Sequence, residues 1–240
     1  SIYPRNFIID VADALETTHA ASVVVPMDAV GETCFERANA WVVDTPLGSG
    51  GSAHRGGRKS AYVDHGHHAG FDLAVFKMIG GYDETFSHNE DAEYDKRVVH
   101  AGGRIFLDAD IRIQYVPRGS VWSLAKQYFN YGKGRARTAR KHRHTLKLRQ
   151  AIPVLALLAS LFGLLVSPLS PALILPAGYL GVLGAASIGV AIWKRSACGL
   201  FAGLASGTMH MSWAAGFLRE TFFPKSDKRA LPLVFRQKTL

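Results

Sequence analysis

The spacing of apolar and polar positions divides the chain into two parts of different character. In the first, short apolar runs alternate with amphipathic ones. Phe7, Ile8, Val11, Ala12 and Leu15 recur at helical spacing behind Pro4, which suits a first helical turn, and predict a helix over Asn6–Glu16. The β-branched run Val23, Val24 and Val25, closed by Pro26, predicts a buried strand over Ala21–Pro26. Phe35–Val43 continues as a helix. Thr45–Lys59 mixes Pro46 with glycine, serine and arginine and predicts a long loop, the kind that serves as a lid or binding wall. A short strand at Ala61–Val63, a helix at Leu73–Ile79 and a Gly80-Gly81-Tyr82-Asp83 turn follow. A helix from Asp91 to Ala101 is closed by Gly102-Gly103, and Ile105–Leu107 and Ile111–Tyr115 read as strands. Ser123–Tyr131 is an amphipathic helix. Strands and helices in this alternation predict an α/β layer architecture.

The second part is nearly continuous in its apolarity. Residues 151–166 and 172–193 carry no charge and are separated by the turn signal Ser167-Pro168-Leu169-Ser170-Pro171. As helices they cover roughly 24 Å and 33 Å, close to the thickness of about 30 Å of a hydrocarbon core. They predict a helical hairpin across a bilayer, because the polar part is too small to wrap two wholly apolar helices. Residues 196–218 are also uncharged but are diluted by glycine, serine and His210. A third span and an interfacial helix both fit that stretch, and three spans are preferred because so many uncharged residues are hard to leave in water.

Charge sharpens this division. Of the 240 residues, 28 are Lys or Arg and 19 are Asp or Glu, a net +9, and the excess crowds into Lys126, Lys133, Arg135, Arg137, Arg140, Lys141, Arg143, Lys147 and Arg149. One soluble globule is excluded. A basic run against the first apolar span places the α/β part on the cytoplasmic side of a membrane, and Lys194 and Arg195 agree. Charge alone would also suit nucleic acid, but contiguity with the hairpin makes membrane lipids the better partner and nucleic acid is not expected. Two cysteines, Cys34 and Cys198, one in each part, exclude a disulfide framework and a Cys-based zinc site, and both read as small buried or lipid-facing side chains. Ser1–Asp10 lacks a signal-peptide core, and the start without Met reads as a fragment.

The chemistry-bearing residues gather between Gly66 and Gly103. Glu90 and Asp91 sit at the predicted mouth of a helix, where the dipole and free N–H groups favour negative charge. Asp91 is thereby suited to accept a proton from an attacking alcohol. Capping of the helix by Asn89 or Asp91, with Glu93 in the first turn, explains the same residues.

The run GGYDETFSHNEDAEYDKRVVHAGGRI, followed by YVPRGS and LAKQYFNYGKGRARTARKH, resembles glycosyltransferase family 2, and within it the ExoA-type enzymes of succinoglycan and related exopolysaccharide synthesis. The resemblance covers about residues 1–149. It implies the C-terminal part of a GT-A (Rossmann-like) domain, α/β in class, followed by a transmembrane helical anchor over 150–240. It implies an inverting hexosyltransferase in which Asp91 is the general base, Glu90 its partner and Arg97, the family's arginine on the same helix, a substrate- or diphosphate-binding group. Gln127, Tyr131 and Arg135, in the same substrate- or diphosphate-binding role, fall where processive relatives carry Gln-x-x-Arg-Trp. Asn130 and Tyr131 depart from that motif, which favours addition of a single sugar. The implied partners are a nucleotide-sugar donor, UDP-glucose, and a polyprenyl-diphosphate-linked saccharide acceptor. The implied cofactor is a divalent metal (Mg2+ or Mn2+) whose main motif is expected upstream of Ser1. Among the histidines, His54, His65, His67 and His68 are candidates for touching diphosphate or metal, against the simpler reading as solvated loop groups. A non-catalytic membrane adaptor of a polysaccharide synthase complex is the competing function.

Overall fold

The computed structural model describes residues 1–43, 45–49, 59–143, 148–166 and 171–224. It is a mixed α/β chain with an apolar helical part at its C-terminal end. The polar part is built around β1 (Ser22–Val25), every residue of which is buried. Alternate side chains of β1 serve two cores. Val23 and Val25 pack with Val11 and Ala14 of α1 (Phe7–Thr18) and with Met27, Ile111 and Ile113. Val24 faces the other way, onto Tyr94 and Val98 of a helix and onto Ile105 and Leu107. A strand with helices on both faces needs apolar groups at every position, which is why the pattern is a run rather than an alternation. Each fully buried valine contributes roughly 1.5–3 kcal/mol of transfer free energy.

β2 (Met27–Ala29) follows β1 directly, then α2 (Cys34–Val43) and the single turn α3 (Pro46–Ser49) inside the segment expected to be loop. β3 (Ala61–Val63), β4 (His67–Phe71), α4 (Leu73–Ile79), α5 (Glu90–His100), β5 (Ile105–Leu107) and β6 (Ile113–Tyr115) complete the layer. The main sheet runs β3-β5-β1-β4, with β1 parallel to β5 and antiparallel to β4, and β2 pairs with β6 in a second, two-stranded sheet. Two of these strands are not legible from pattern. β4 carries His67 and His68 in place of an apolar alternation, and β2 is only three residues long. Gly102 closes α5 in the left-handed region, at φ 81°, as expected.

α6 (Val121–His142) is far longer than the helix expected over Ser123–Tyr131. A capping box between Ser120 and Ser123 starts it, and alanine, arginine and lysine carry it through the basic run. Next come α7 (Leu148–Val166), a short 3-10 turn at Pro171–Leu173, α8 (Ile174–Trp193), a second 3-10 turn at Ala197–Phe201 and α9 (Ala202–Phe222). Among the described residues one helix is long and apolar enough to cross a membrane, Pro171–Trp193 with its 3-10 turn, and Gln150–Val166 is a shorter apolar helix. Leu165 on α7 and Ile174 and Ile192 on α8 are 80%, 73% and 71% exposed, so this pair presents apolar side chains outward.

α9 does something different. It lies along α6, and Ala202, Ala205 and Met209 share a buried cluster with Val42, Val43 and Leu124 from the polar part. The helices touch backbone to backbone: a Cβ on Gly132 would run into the Trp213 carbonyl, and one on Gly216 into that of Phe129. A disulfide joins Cys34 at the start of α2 to Cys198 beneath α9, with Cα atoms 4.7 Å apart. This corrects the reading of two unpaired cysteines. Composition puts them in different parts, but packing of α2 on the Ala197–Phe201 turn brings them together across 164 residues.

Candidate active site

α5 opens on Asn89, held at φ 62°, without a side-chain cap. Glu90, Asp91 and Glu93 occupy its first turn. Asp91 is half-buried, and its Oδ1 accepts the adjacent Ala92 N–H at 2.7 Å. The Oε2 atom of Glu90 is buried and has no hydrogen-bond partner among the described residues. The loop that carries the pair rests on α6. Asn89 Nδ2 donates to the Tyr131 carbonyl at 3.4 Å, and Gly134 allows the His88 carbonyl and the Asn89 side chain to lie against the α6 backbone. Neither Asn89 nor Asp91 caps the helix in the usual way, so capping does not account for both residues.

Glu93 belongs to a separate, wholly internal network. It is 0% exposed and takes Arg97 Nε at 3.0 Å and Nη2 at 2.8 Å, Lys141 Nζ at 2.8 Å and His142 Nε2 at 3.0 Å. Burial raises its pKa, but the hydrogen bonds from His142, Arg97 and Lys141 outweigh burial and hold it at about 2. Lys141 also reaches Asp83 Oδ2 at 2.6 Å, and Asp83 is lowered in the same way, burial being overcome by Lys141 and Thr85.

Arg97, expected to meet a diphosphate, is instead spent on structure. Its remaining donors hold the carbonyls of Ile79 at 2.7 Å and Gly81 at 2.6 Å, which fixes the glycine turn ahead of Tyr82. Gln127 Nε2 donates to the hydroxyls of Tyr131 at 2.9 Å and Tyr115 at 3.1 Å. Gln127, Tyr131 and Tyr115 line a small cavity with Asn39 and Tyr128. Arg135 stands one turn beyond Tyr131 on the same side of α6 and is half-buried.

The structure separates the histidines. His68 pairs with Val24 across the sheet and so faces α5, whereas His67 pairs with Val25 and faces the α1 side. His54 lies outside the described residues. His65 and His68 are not solvated loop groups. Both bind Asp95, His65 through Nδ1 at 2.6 Å and His68 through Nε2 at 2.7 Å, and His68 Nδ1 lies 2.7 Å from the Tyr82 hydroxyl. Asp95 is fully buried, and its pKa is lowered because the two imidazoles overcome the effect of burial. Tyr82 is pushed well up, first by burial and then by the charges of Asp91, Asp95 and Glu90. Asp95 was not singled out in the sequence, although it follows Asp91 at the i+4 spacing that places both on one helix face.

The basic run is also redirected. Arg137 Nε binds Glu220 Oε1 at 3.0 Å, Arg140 joins the same carboxylate at 3.4 Å, and Lys141 and His142 are taken by Glu93. These cations face protein carboxylates in place of lipid headgroups. The signal available in sequence was Glu220, an acid at the end of a long uncharged stretch.

The candidate site is thus a helix mouth with two carboxylates, on a helix that β4 meets through His68 and whose loop rests on α6. The chain belongs to the ExoA-type proteins of exopolysaccharide biosynthesis. It is 41% identical over 222 residues to the succinoglycan biosynthesis protein ExoA of Rhizobium meliloti (strain 1021), a similarity covering 91% of this chain and 66% of that relative. The chain thus spans about two thirds of the length of the curated relative it matches. No protein-family pattern matches the chain, and no solved structure does.

Proposed function

We propose that the chain is the acceptor-side and membrane-bearing part of an inverting glycosyltransferase of GT-A fold. The enzyme moves one hexose, glucose from UDP-glucose, onto a polyprenyl-diphosphate-linked saccharide at the cytoplasmic face of the inner membrane, in synthesis of a succinoglycan-type exopolysaccharide. The observation that carries the reading is the half-buried Asp91 in the first turn of α5, inside a sequence similar throughout to ExoA. The outward-facing apolar side chains of α7 and α8 support residence in a membrane, where a lipid-linked acceptor is found. Lys194 Nζ sits 3.7 Å from the Trp193 ring centroid at the end of α8, the combination of aromatic and cation that suits a headgroup boundary.

In the proposed reaction the acceptor hydroxyl gives its proton to the Asp91 carboxylate as its oxygen bonds to the anomeric carbon. The bond from that carbon to the nucleotide diphosphate breaks on the opposite face, and the diphosphate leaves with the electron pair. One displacement inverts the centre, so a single base beside the acceptor suffices. Asp91 lies in the first helical turn, where the helix dipole and free N–H groups favour a carboxylate. Among the described residues no group of three or more His, Cys, Asp or Glu side chains could hold a metal ion. The main motif for the implied divalent metal is expected upstream of Ser1, and no step is assigned to a metal.

The test is transfer of labelled sugar to the lipid fraction by membranes carrying the full-length protein. Asp91→Asn should lower transfer by about 100-fold or more, the usual contribution of a positioned base, with donor binding retained. Transfer at the unaltered rate would remove Asp91 from the role of base.

A further inference from the structure

Glu220, in the last turn of α9, is wholly buried. A carboxylate taken from water needs a cation and hydrogen bonds in place of its hydration. Arg137 supplies both from α6. Its Nε meets Oε1 at 3.0 Å, its Nη1 holds the Thr85 carbonyl at 3.0 Å, and its side chain is 9% exposed. One guanidinium balances one carboxylate. Two further arginines nevertheless converge on the same group, Arg140 with Nη2 on Oε1 at 3.4 Å and Arg219 with Nη1 on Oε2 at 3.2 Å.

These two differ from Arg137 in where they stand. Their side chains are 45% and 40% exposed. A guanidinium is always charged and carries five N–H groups. Arg140 uses one on the Glu220 carboxylate and one on the Glu220 backbone carbonyl at 3.3 Å, and Arg219 uses one on the carboxylate. Facing a carboxylate therefore does not exhaust either residue. The buried acid acts as a spacer that sets two guanidinium groups about one point at the ends of α6 and α9, with positive charge in excess of its own. Planar forks of this kind match the oxygens of a phosphate in shape as well as in charge.

The neighbours indicate where the phosphate comes from. Phe222 follows Arg219 at the i+3 spacing that puts both on one helix face, and Phe223 closes the helix; the two are 70% and 72% exposed. α6, which carries Arg140, ends at His142, and the apolar α7 begins at Leu148. A free inorganic anion has no use for aromatic surface, whereas a lipid has. Rings beside an arginine at the departure of an apolar helix pair suit a bilayer boundary, rings toward the acyl chains and cation at the headgroup. We propose that Arg140 and Arg219, held about Glu220, bind the phosphate of an anionic glycerophospholipid. The inference rests on membrane residence of α7 and α8 and does not depend on the transfer reaction.

The test is equilibrium binding of phosphatidylglycerol to the detergent-solubilised full-length protein in neutral micelles, with inorganic phosphate as competitor. Arg140→Gln and Arg219→Gln should each raise the Kd about tenfold, the lower end of the worth of a hydrogen bond to a charged group. Arg219→Lys, which keeps the charge, should lose less than Arg219→Gln, and this comparison separates a binding role from a folding defect. Arg104→Gln, which removes a cation stacked 4.5 Å over Tyr62 on the main sheet, should leave the Kd unchanged. Phosphatidylglycerol bound equally well by the double glutamine variant, or an Arg104→Gln effect as large as the others, overturns the site. Ready displacement by millimolar inorganic phosphate overturns the assignment to lipid. Recovery of the unaltered protein outside the membrane fraction removes instead the membrane reading on which the inference rests.

Discussion

Lys141 offers the sharpest probe of how the frame is held. Its ammonium lies between Asp83 and Glu93, carboxylates that are 1% and 0% exposed, at 2.6 and 2.8 Å. Lys141→Met keeps most of the aliphatic stem and deletes the charge, which also lies 5.7 Å from the Phe86 ring centroid. Glu93 still has Arg97 and His142, whereas among the described residues Asp83 keeps its hydrogen bonds from Thr85 and no cation. Removing one partner of a buried pair typically costs about 3–5 kcal/mol. Because Thr85 remains, a loss of about 3 kcal/mol is expected, equivalent to a fall in Tm of about 6–12 °C for a chain of this size.

The pH dependence carries the same information with a definite sign. Glu93 titrates at about 2 in the fold against 4.5 unfolded, so its contribution is present above about pH 4.5 and is lost as pH falls toward 2. That displacement is worth at most about 3 kcal/mol, and nearer 2 once solvent screening is allowed for. In Lys141→Met the folded pKa values of Glu93 and Asp83 move back up, so the variant should lose less stability between pH 5 and about 2 than the unaltered protein does. The assay is tryptophan fluorescence melting of the detergent-solubilised protein at a series of pH values. A Tm within 2 °C of the unaltered protein at neutral pH, with parallel acid limbs, would refute a buried bridge.

Two further outcomes are expected. Reducing the Cys34–Cys198 bond should lower thermal stability, since closing 164 residues of sequence restricts the unfolded chain by about 5 kcal/mol in the chain-entropy account; alkylation of both cysteines without prior reduction would contradict the bond. Gly132→Leu should push α6 from the Trp213 carbonyl of α9 and weaken transfer by displacing the Asn89–Asp91 loop that rests on α6; a variant with full activity and unchanged Tm would show the crossing to be loose.

Much of the polar part was legible because each signal was local. Val23-Val24-Val25 could only be a central strand, and Leu73–Ile79 and the glycine-closed helix after Asn89 start and stop where their residues dictate. Glu90 and Asp91 fall in the first turn of α5 as expected for the same reason, since the mouth of a helix is written in adjacent residues. What failed depended on contacts between distant segments. His68 looks like a polar loop group until Asp95 is folded against it, and Arg97 looks like an anion ligand until Glu93 is seen one turn before it, both buried. The cysteines read as unpaired because nothing in the intervening 164 residues announces that α2 and the turn before α9 will meet.

The return of α9 has one more consequence. Chain that leaves the polar part as the apolar pair α7 and α8 comes back to supply Ala202, Ala205 and Met209 to a core shared with Val42, Val43 and Leu124, and Glu220 to Arg137. Composition draws a line at Gln150, but cooperativity does not follow it. The helix that follows the apolar pair packs backbone to backbone on α6, and α6 in turn bears the loop carrying Asp91, so the far end of the chain is built into the support of that loop.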